Sequence, residues 1–353
     1  MKVNRPTRTQ IWSTPSTGMA SLLFSVALAA CNPVSEYQAV YTGDMEPPRF
    51  GGVEPVNASE VRFRFDEPVE PADGSLLLNG EPLEDSAFTS EGTIATLRPA
   101  RPLEPGRKYH LQGVFRDETG NSASVATAFY GPNPNLPAML INEFNPEGSR
   151  NNPDMVELRV LEAGNIGGAV LYEGSPSDWE SRIVLPAVEV AEGAFVLIHY
   201  KPEDTPEEVD ETVDPAASGG VNVHDEAWDF WVPDGDGYTN TNGSLVLAEY
   251  PGGPIMDAVI FSTKRYDPED RHRGFGREAI LLRNEEIVKA GEWVIQGEVV
   301  IPEDAVDPED SSATRSINRS PGGGDSNSLS DWHIVPSGGA TFGDENSLER
   351  YEG

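Results

Sequence analysis

Apolar and polar residues alternate along much of this chain, in runs of strand length. In Val61-Arg62-Phe63-Arg64-Phe65 every second side chain is apolar, which puts Val61, Phe63 and Phe65 on one face of an extended segment. Tyr109, Leu111 and Phe115 keep the same period in the run from Tyr109 to Phe115. Further on, Met139-Leu140-Ile141-Asn142-Glu143-Phe144, Asp154-Met155-Val156-Glu157-Leu158, Arg182-Ile183-Val184-Leu185-Pro186 and Gly193-Ala194-Phe195-Val196-Leu197-Ile198 are bounded by Gly, Pro or Asn. The last is apolar on both faces, as a strand buried between layers must be. No stripe of period 3.6 is sustained between these segments, so the pattern predicts an all-β chain of β-sandwich type.

Proline and glycine divide the pattern. Pro132, Pro134 and Pro137 make a short stiff linker after Tyr130. The expected organisation is a signal segment at 1–30, a tether at 31–48, a first sandwich at 49–131 and a second at 138–347. Two acidic stretches interrupt the second sandwich, Lys201 to Gly219 and Glu298 to Asp310. Their composition suits surface excursions that bury no core.

Three motifs in the first sandwich resemble the bacterial Ig-like domains of S-layer and surface proteins. They are Phe63-Arg64-Phe65-Asp66-Glu67-Pro68-Val69, Leu103-Glu104-Pro105-Gly106-Arg107-Lys108-Tyr109 and Asp117-Glu118-Thr119-Gly120-Asn121. The second sandwich resembles the lamin-tail domain, through Ile141-Asn142-Glu143-Phe144, Asp154 to Leu158, Gly243-Ser244-Leu245-Val246-Leu247 and Ile255-Met256-Asp257-Ala258-Val259. Its end is similar too, in Ser316-Ile317-Asn318-Arg319, Asp331-Trp332 and Gly343 to Asn346. Met155 stands where that family has tryptophan, and Arg159-Val160 where it has Tyr-Asn. These resemblances imply two tandem Ig-like sandwiches, with the glycine-rich stretch from Pro321 to Ser330 as a loop inside the second.

The N-terminus adds a compartment. Lys2, Arg5 and Arg8 precede an apolar run from Met19 to Ala30 that is too short to span a bilayer. Leu28-Ala29-Ala30-Cys31 resembles the lipobox of bacterial lipoproteins, which implies a lipidated Cys31, a membrane as partner, and export to a bacterial outer membrane or cell surface. Cys31 is the one cysteine in the chain, so the mature protein would fold without disulfides or thiolate metal sites. The formal charge of −34 becomes three units more negative once the signal is removed. A field of that sign repels phosphates, and no nucleic-acid partner is expected.

Candidate chemistry concentrates between His224 and Asn240. Asp234, Asp236 and Asn240 fall on positions 1, 3 and 7 of a calcium loop. Tyr238, Thr239 and Leu245 occupy positions 5, 6 and 12, which rules out an EF-hand and leaves a looser Ca2+ loop or a polar turn. Trp228 and Trp231 read either as core packing or as an exposed aromatic pair for carbohydrate. Arg271-His272-Arg273, with Arg265 and Arg277, forms a basic island expected to pair internally, and His199 reads as a packed strand residue. The five histidines show no metal-ligand spacing, and no nucleophile elbow or phosphate loop is present, so no catalytic residue and no cofactor beyond Ca2+ is assigned. The expected role is a non-enzymatic binding or structural module for an envelope protein or polysaccharide. The rival is an exported hydrolase, or the accessory subunit of a secreted nuclease or phosphatase.

Overall fold

The computed structural model of the protein describes residues 44–353 apart from 85, 86, 204, 268, 270 and 323. The signal segment, Cys31 and most of the tether lie outside the described residues. Glu46–Gly353 form one compact unit, and no described helix is long and apolar enough to cross a membrane.

The fold is all-β in its framework. The first sandwich runs through β1 (Phe50–Asn57), β2 (Glu60–Phe65), β3 (Glu70–Pro71), β4 (Leu77–Leu78), β5 (Glu81–Pro82), β6 (Phe88–Glu91), β7 (Ile94–Leu97), β8 (Lys108–Arg116) and β9 (Ser122–Tyr130). One sheet has the order β1-β2-β7-β6; in the other, β8 pairs with β9 on one side and with β3 and β4 on the other. The period-2 pattern does what it predicts. Val61 and Phe63 are fully buried, Phe65 nearly so, and Phe65 packs on Phe115 of the facing sheet with ring centroids 4.9 Å apart. Asp117 accepts the N–H groups of Thr119 and Asn121 and so closes the β8–β9 hairpin as a turn residue.

The second sandwich comprises β10 (Met139–Asn145), β11 (Met155–Val160), β12 (Gly164–Asn165), β13 (Val170–Gly174), β14 (Trp179–Val184), β15 (Glu189–Val190), β16 (Phe195–His199), β17 (Trp228–Trp231), β18 (Asn242–Ala248), β19 (Ile255–Ser262), helix α1 (Glu278–Ala290), β20 (Ile317–Arg319) and β21 (Trp332–Ile334). A six-stranded sheet, β17-β16-β11-β10-β20-β21, faces a four-stranded sheet, β14-β13-β18-β19, with β12 and β15 paired at the side. Phe144 and Phe261 meet between the layers at 5.7 Å. The glycine-rich stretch is a loop between β20 and β21, which pair Ile317 with Ile334. Ile317 and Trp332 are buried in the core.

Two details depart from the sequence-based expectation. Helix α1 was not anticipated, because its buried face carries Arg283 and Asn284 beside Ile280 and Ile287 and so hides the apolar period. Its residues are good helix formers, and Gly291 ends it in the left-handed region at φ 91°. Second, the acidic stretches are built into the fold. Glu211 and Asp304 are buried, and Asp304 accepts the N–H groups of Gln296 and Ile301. The basic island pairs internally, as expected, Arg273 with Glu285 and Arg277 with Glu180.

Candidate functional site

The outer face of the six-stranded sheet carries a polar row. Cross-strand register aligns His333, Asn318, Glu143, Glu157, Leu197 and Asp229, one from each strand from β21 to β17. The polar members of this row are all buried, Glu143, Glu157, Asn318 and Asp229 completely. They are covered by two segments, the strap 341–346 and the acidic insertion around Asp210 and Glu211.

The strap is fastened to the row residue by residue. Thr341 donates its backbone N–H to Glu143 at 3.0 Å and its hydroxyl at 2.6 Å, and Gly343 donates its N–H to Glu157 at 2.6 Å. Between them Phe342 packs on Met155, Leu197 and Ala227. Asn346 donates to the carbonyls of Asn142 and Arg319, and Glu345 pairs with Arg159 at 2.5 Å. Gly343 has no substitute, since it holds φ +88° and an added Cβ would stand 2.4 Å from the His224 ring. Burial pushes the Glu143 carboxyl up; burial and then the charge of Glu143 push Glu157 well above the usual carboxylate range.

At the other end of the row, Asp229 accepts from His199 Nε2 at 2.6 Å when that nitrogen carries the proton, and Trp231 stacks on the imidazole at 4.5 Å. Strand β17 is a sheet edge, with outward N–H groups to satisfy. Glu211 accepts that of Asp229 at 2.8 Å, and Asp210 that of Trp231 at 3.0 Å. Burial raises the Glu211 carboxyl to about 7.

Two further acids act as internal ties. Asp154 accepts the N–H of Gly148 at 2.6 Å and that of Tyr238 at 3.2 Å, joining two loops, and burial raises its carboxyl. Asp257, fully buried, accepts the Ile141 N–H at 2.6 Å and pairs with Arg319 at 2.7 Å. Burial outweighs the Arg319 guanidinium and lifts this carboxyl to about 7. Arg319 also lies over Trp332, 4.7 Å from the ring centroid.

The residues singled out from sequence are placed differently. Asp234, Asp236 and Asn240 are all exposed, and the carboxylate that organises their loop is Asp154. Trp228 packs on the main core while Trp231 stacks on His199 from the opposite face of β17, so the two rings form no shared platform. His199 is a packed strand residue, as its apolar setting indicates.

A cleft of about 970 Å³ lies where the two sandwiches meet. Its walls come from β1, the end of β9, the proline linker and the hairpin between β18 and β19. Tyr130 and Tyr250 supply aromatic surface, and Glu54, Glu162 and Glu249 the charged groups. The linker is held in place by Asn133, whose amide donates to the carbonyls of Asn165 at 2.6 Å and Gly167 at 2.8 Å. Sequence reasoning missed this cleft because its lining comes from widely separated segments; the linker prolines were the available signal.

Residues 137–334, from the linker through β21, match the family model TP_1001_2nd, described as a protein second domain. The chain belongs to this family. The TP_1001_2nd match contains the polar row, while the strap and the first sandwich lie outside the matched span. The chain is also 27% identical over 156 residues to an uncharacterized protein of Treponema pallidum (strain Nichols), a match that covers 44% of this chain and 39% of that relative. Among solved structures, a DUF4876 family protein from Bacteroides thetaiotaomicron aligns over 72% of this chain and 82% of its own, at 11% identity and a TM-score of 0.28. The N-terminal part of the bacterial S-layer protein SbsC aligns over 46% and 44%, at 15% identity and a TM-score of 0.22.

Proposed function

We propose that the protein is a non-enzymatic binding or structural module of the bacterial cell envelope, lipid-anchored through Cys31 and offering the cleft between its sandwiches to a protein or polysaccharide partner. One observation carries this reading. Glu143, Asp154, Glu157, Glu173, Glu211 and Asp257 all have raised carboxyl pKa values, and all accept backbone N–H groups of their own fold. A general acid or base has to reach substrate with a lone pair or proton to exchange. These carboxylates are buried against loops and strand β10 that they hold, and none of them lines the cleft. The lamin-tail resemblance gains support from Asp257 and Arg319, which come from two of its motifs and meet as an ion pair.

Two measurements test the reading on the full chain. Cys31→Ser should move the protein from the membrane fraction to the soluble fraction and abolish incorporation of labelled fatty acid. Tyr250→Ala should weaken retention of the purified protein on envelope fractions. Turnover of phosphodiester, phosphomonoester or glycoside substrates by the purified chain, lost on substitution of one of the buried acids, would establish the hydrolase instead.

A further inference from the structure

We infer that the cleft between the sandwiches binds an extended peptide segment bearing arginine or lysine, an inference that rests on the binding reading above and names its partner. The cleft's volume, about 970 Å³, is at the upper end of ligand pockets. Charge comes first. Among its described lining residues the charged side chains are Glu54, Glu162 and Glu249, and no lysine, arginine or histidine lines it. Glu162 and Glu249 are exposed, while Glu54 also pairs with Arg64.

Hydrogen-bonding capacity comes second, and it is lopsided. Five lining residues are prolines, among them Pro132, Pro134 and Pro251, whose backbone has a carbonyl oxygen but no N–H to donate. Three carboxylates add acceptors only. A surface so rich in acceptors is complemented by a ligand rich in donors. Guanidinium and ammonium groups are donors without acceptors, whereas sugar hydroxyls also need donors in return. Aromatic surface is the third element: Tyr250 is 52% exposed, and Tyr130 lies in the same lining, so the cleft carries the aromatic surface on which a cation is held.

Overall acidity attracts cations everywhere on this chain, so the test has to separate the cleft from the rest of the surface. The full chain is titrated against a fluorescein-labelled nonapeptide of alternating glycine and arginine, a matching glycine and glutamate peptide, and labelled maltohexaose, read by fluorescence polarisation. The arginine peptide should bind alone among the three. Glu162→Gln with Glu249→Gln should weaken it about tenfold, and Tyr250→Ala at least about threefold. The control pair Glu298→Gln with Glu303→Gln, which removes two exposed acids outside the cleft, should leave affinity within about twofold.

Equal loss in both double variants, or no binding of the arginine peptide, overturns the inference. Maltohexaose binding that falls with Tyr250→Ala but not with Glu162→Gln and Glu249→Gln also overturns it, yet leaves the binding function standing. If neither ligand binds and Tyr250→Ala leaves envelope retention unchanged, both readings fall.

Discussion

Gly106 stands against Gly168 across the junction of the two sandwiches, so closely that a Cβ on Gly106 would lie 2.1 Å from the Gly168 backbone nitrogen. The junction is therefore a backbone-to-backbone contact. Gly106 also holds φ +69°, and an alanine there meets both strain and a clash with backbone that cannot swing aside. Gly120 provides the comparison, with φ +94° and nothing within 4 Å of its Cβ position. Gly120→Ala should cost about 1 kcal/mol from strain alone. Gly106→Ala should cost at least about 1 kcal/mol more, and should open the linker 131–137 to limited proteolysis. Equal stability of the two variants would mean that the junction is slack.

Arg319 and Asp257 form a second tie, in the core. Arg319 donates its Nε to the Ile141 carbonyl while Asp257 accepts the Ile141 N–H, so the pair holds both backbone groups of one residue of β10. Removing one partner leaves the other charge buried. Arg319→Ala should lower stability by about 3–5 kcal/mol. Arg319→Met with Asp257→Leu should cost less than the two single changes together, because neither member of this pair is left buried without the other. Denaturant unfolding of the four proteins in the cycle measures the difference.

How far the sequence made this visible depended on whether the signal was local. Phe63 and Phe65 sit in a period of two, and Asp117 sits in its own turn; all three read correctly because their partners are set by neighbours in the chain. The closing strands around Ile317 and Trp332 were placed through a resemblance. The polar row was not legible, since Glu143 and Asp229 are aligned only after four strands pair. Asp234 and Asp236 attracted a calcium reading by spacing, while Asp154, some eighty residues earlier, holds the loop. Helix α1 stayed hidden because Arg283 is buried on its inner face, where it donates to Asp178 at 2.8 Å and to Glu180 at 3.2 Å. Seeing that face required knowing that Asp178 and Glu180 lie opposite it.

The buried acids make stability depend on pH in a direction opposite to that of an ordinary salt-bridged protein. Glu143, Glu157, Glu211 and Asp257 all bind protons more tightly when folded. Their contribution is complete below the unfolded carboxyl values near 4 and is lost as pH rises through the folded values, about 7 for Glu211 and Asp257. Thermal unfolding should therefore give a Tm that falls from pH 5 to pH 8. Glu143→Gln removes the like charge beside Glu157 and should flatten this slope. Thr341 should then remain protected from hydrogen exchange at higher pH, because the strap no longer covers two carboxylates. A Tm that rises over this range would show that the acids are ionised at little cost in the folded protein.

The last prediction concerns the sheet edge at β17. An edge strand offers unpaired N–H groups to any other extended chain, and charged side chains laid along it are one way to prevent such pairing. Glu211 does this by accepting the Asp229 N–H on one oxygen and the Ser218 N–H on the other, at 2.8 and 2.9 Å. Glu211→Ala leaves both donors without their acceptor and loosens the insertion that covers the edge, at a cost of about 1–3 kcal/mol. Glu211→Gln keeps one acceptor oxygen but turns a donor toward the other N–H, so it should fall between the two. Light scattering should show concentration-dependent association of Glu211→Ala, while the parent chain scatters as before. If Glu211→Ala loses stability yet does not associate, the insertion still shields β17 through Asp210, and that residue becomes the one to remove.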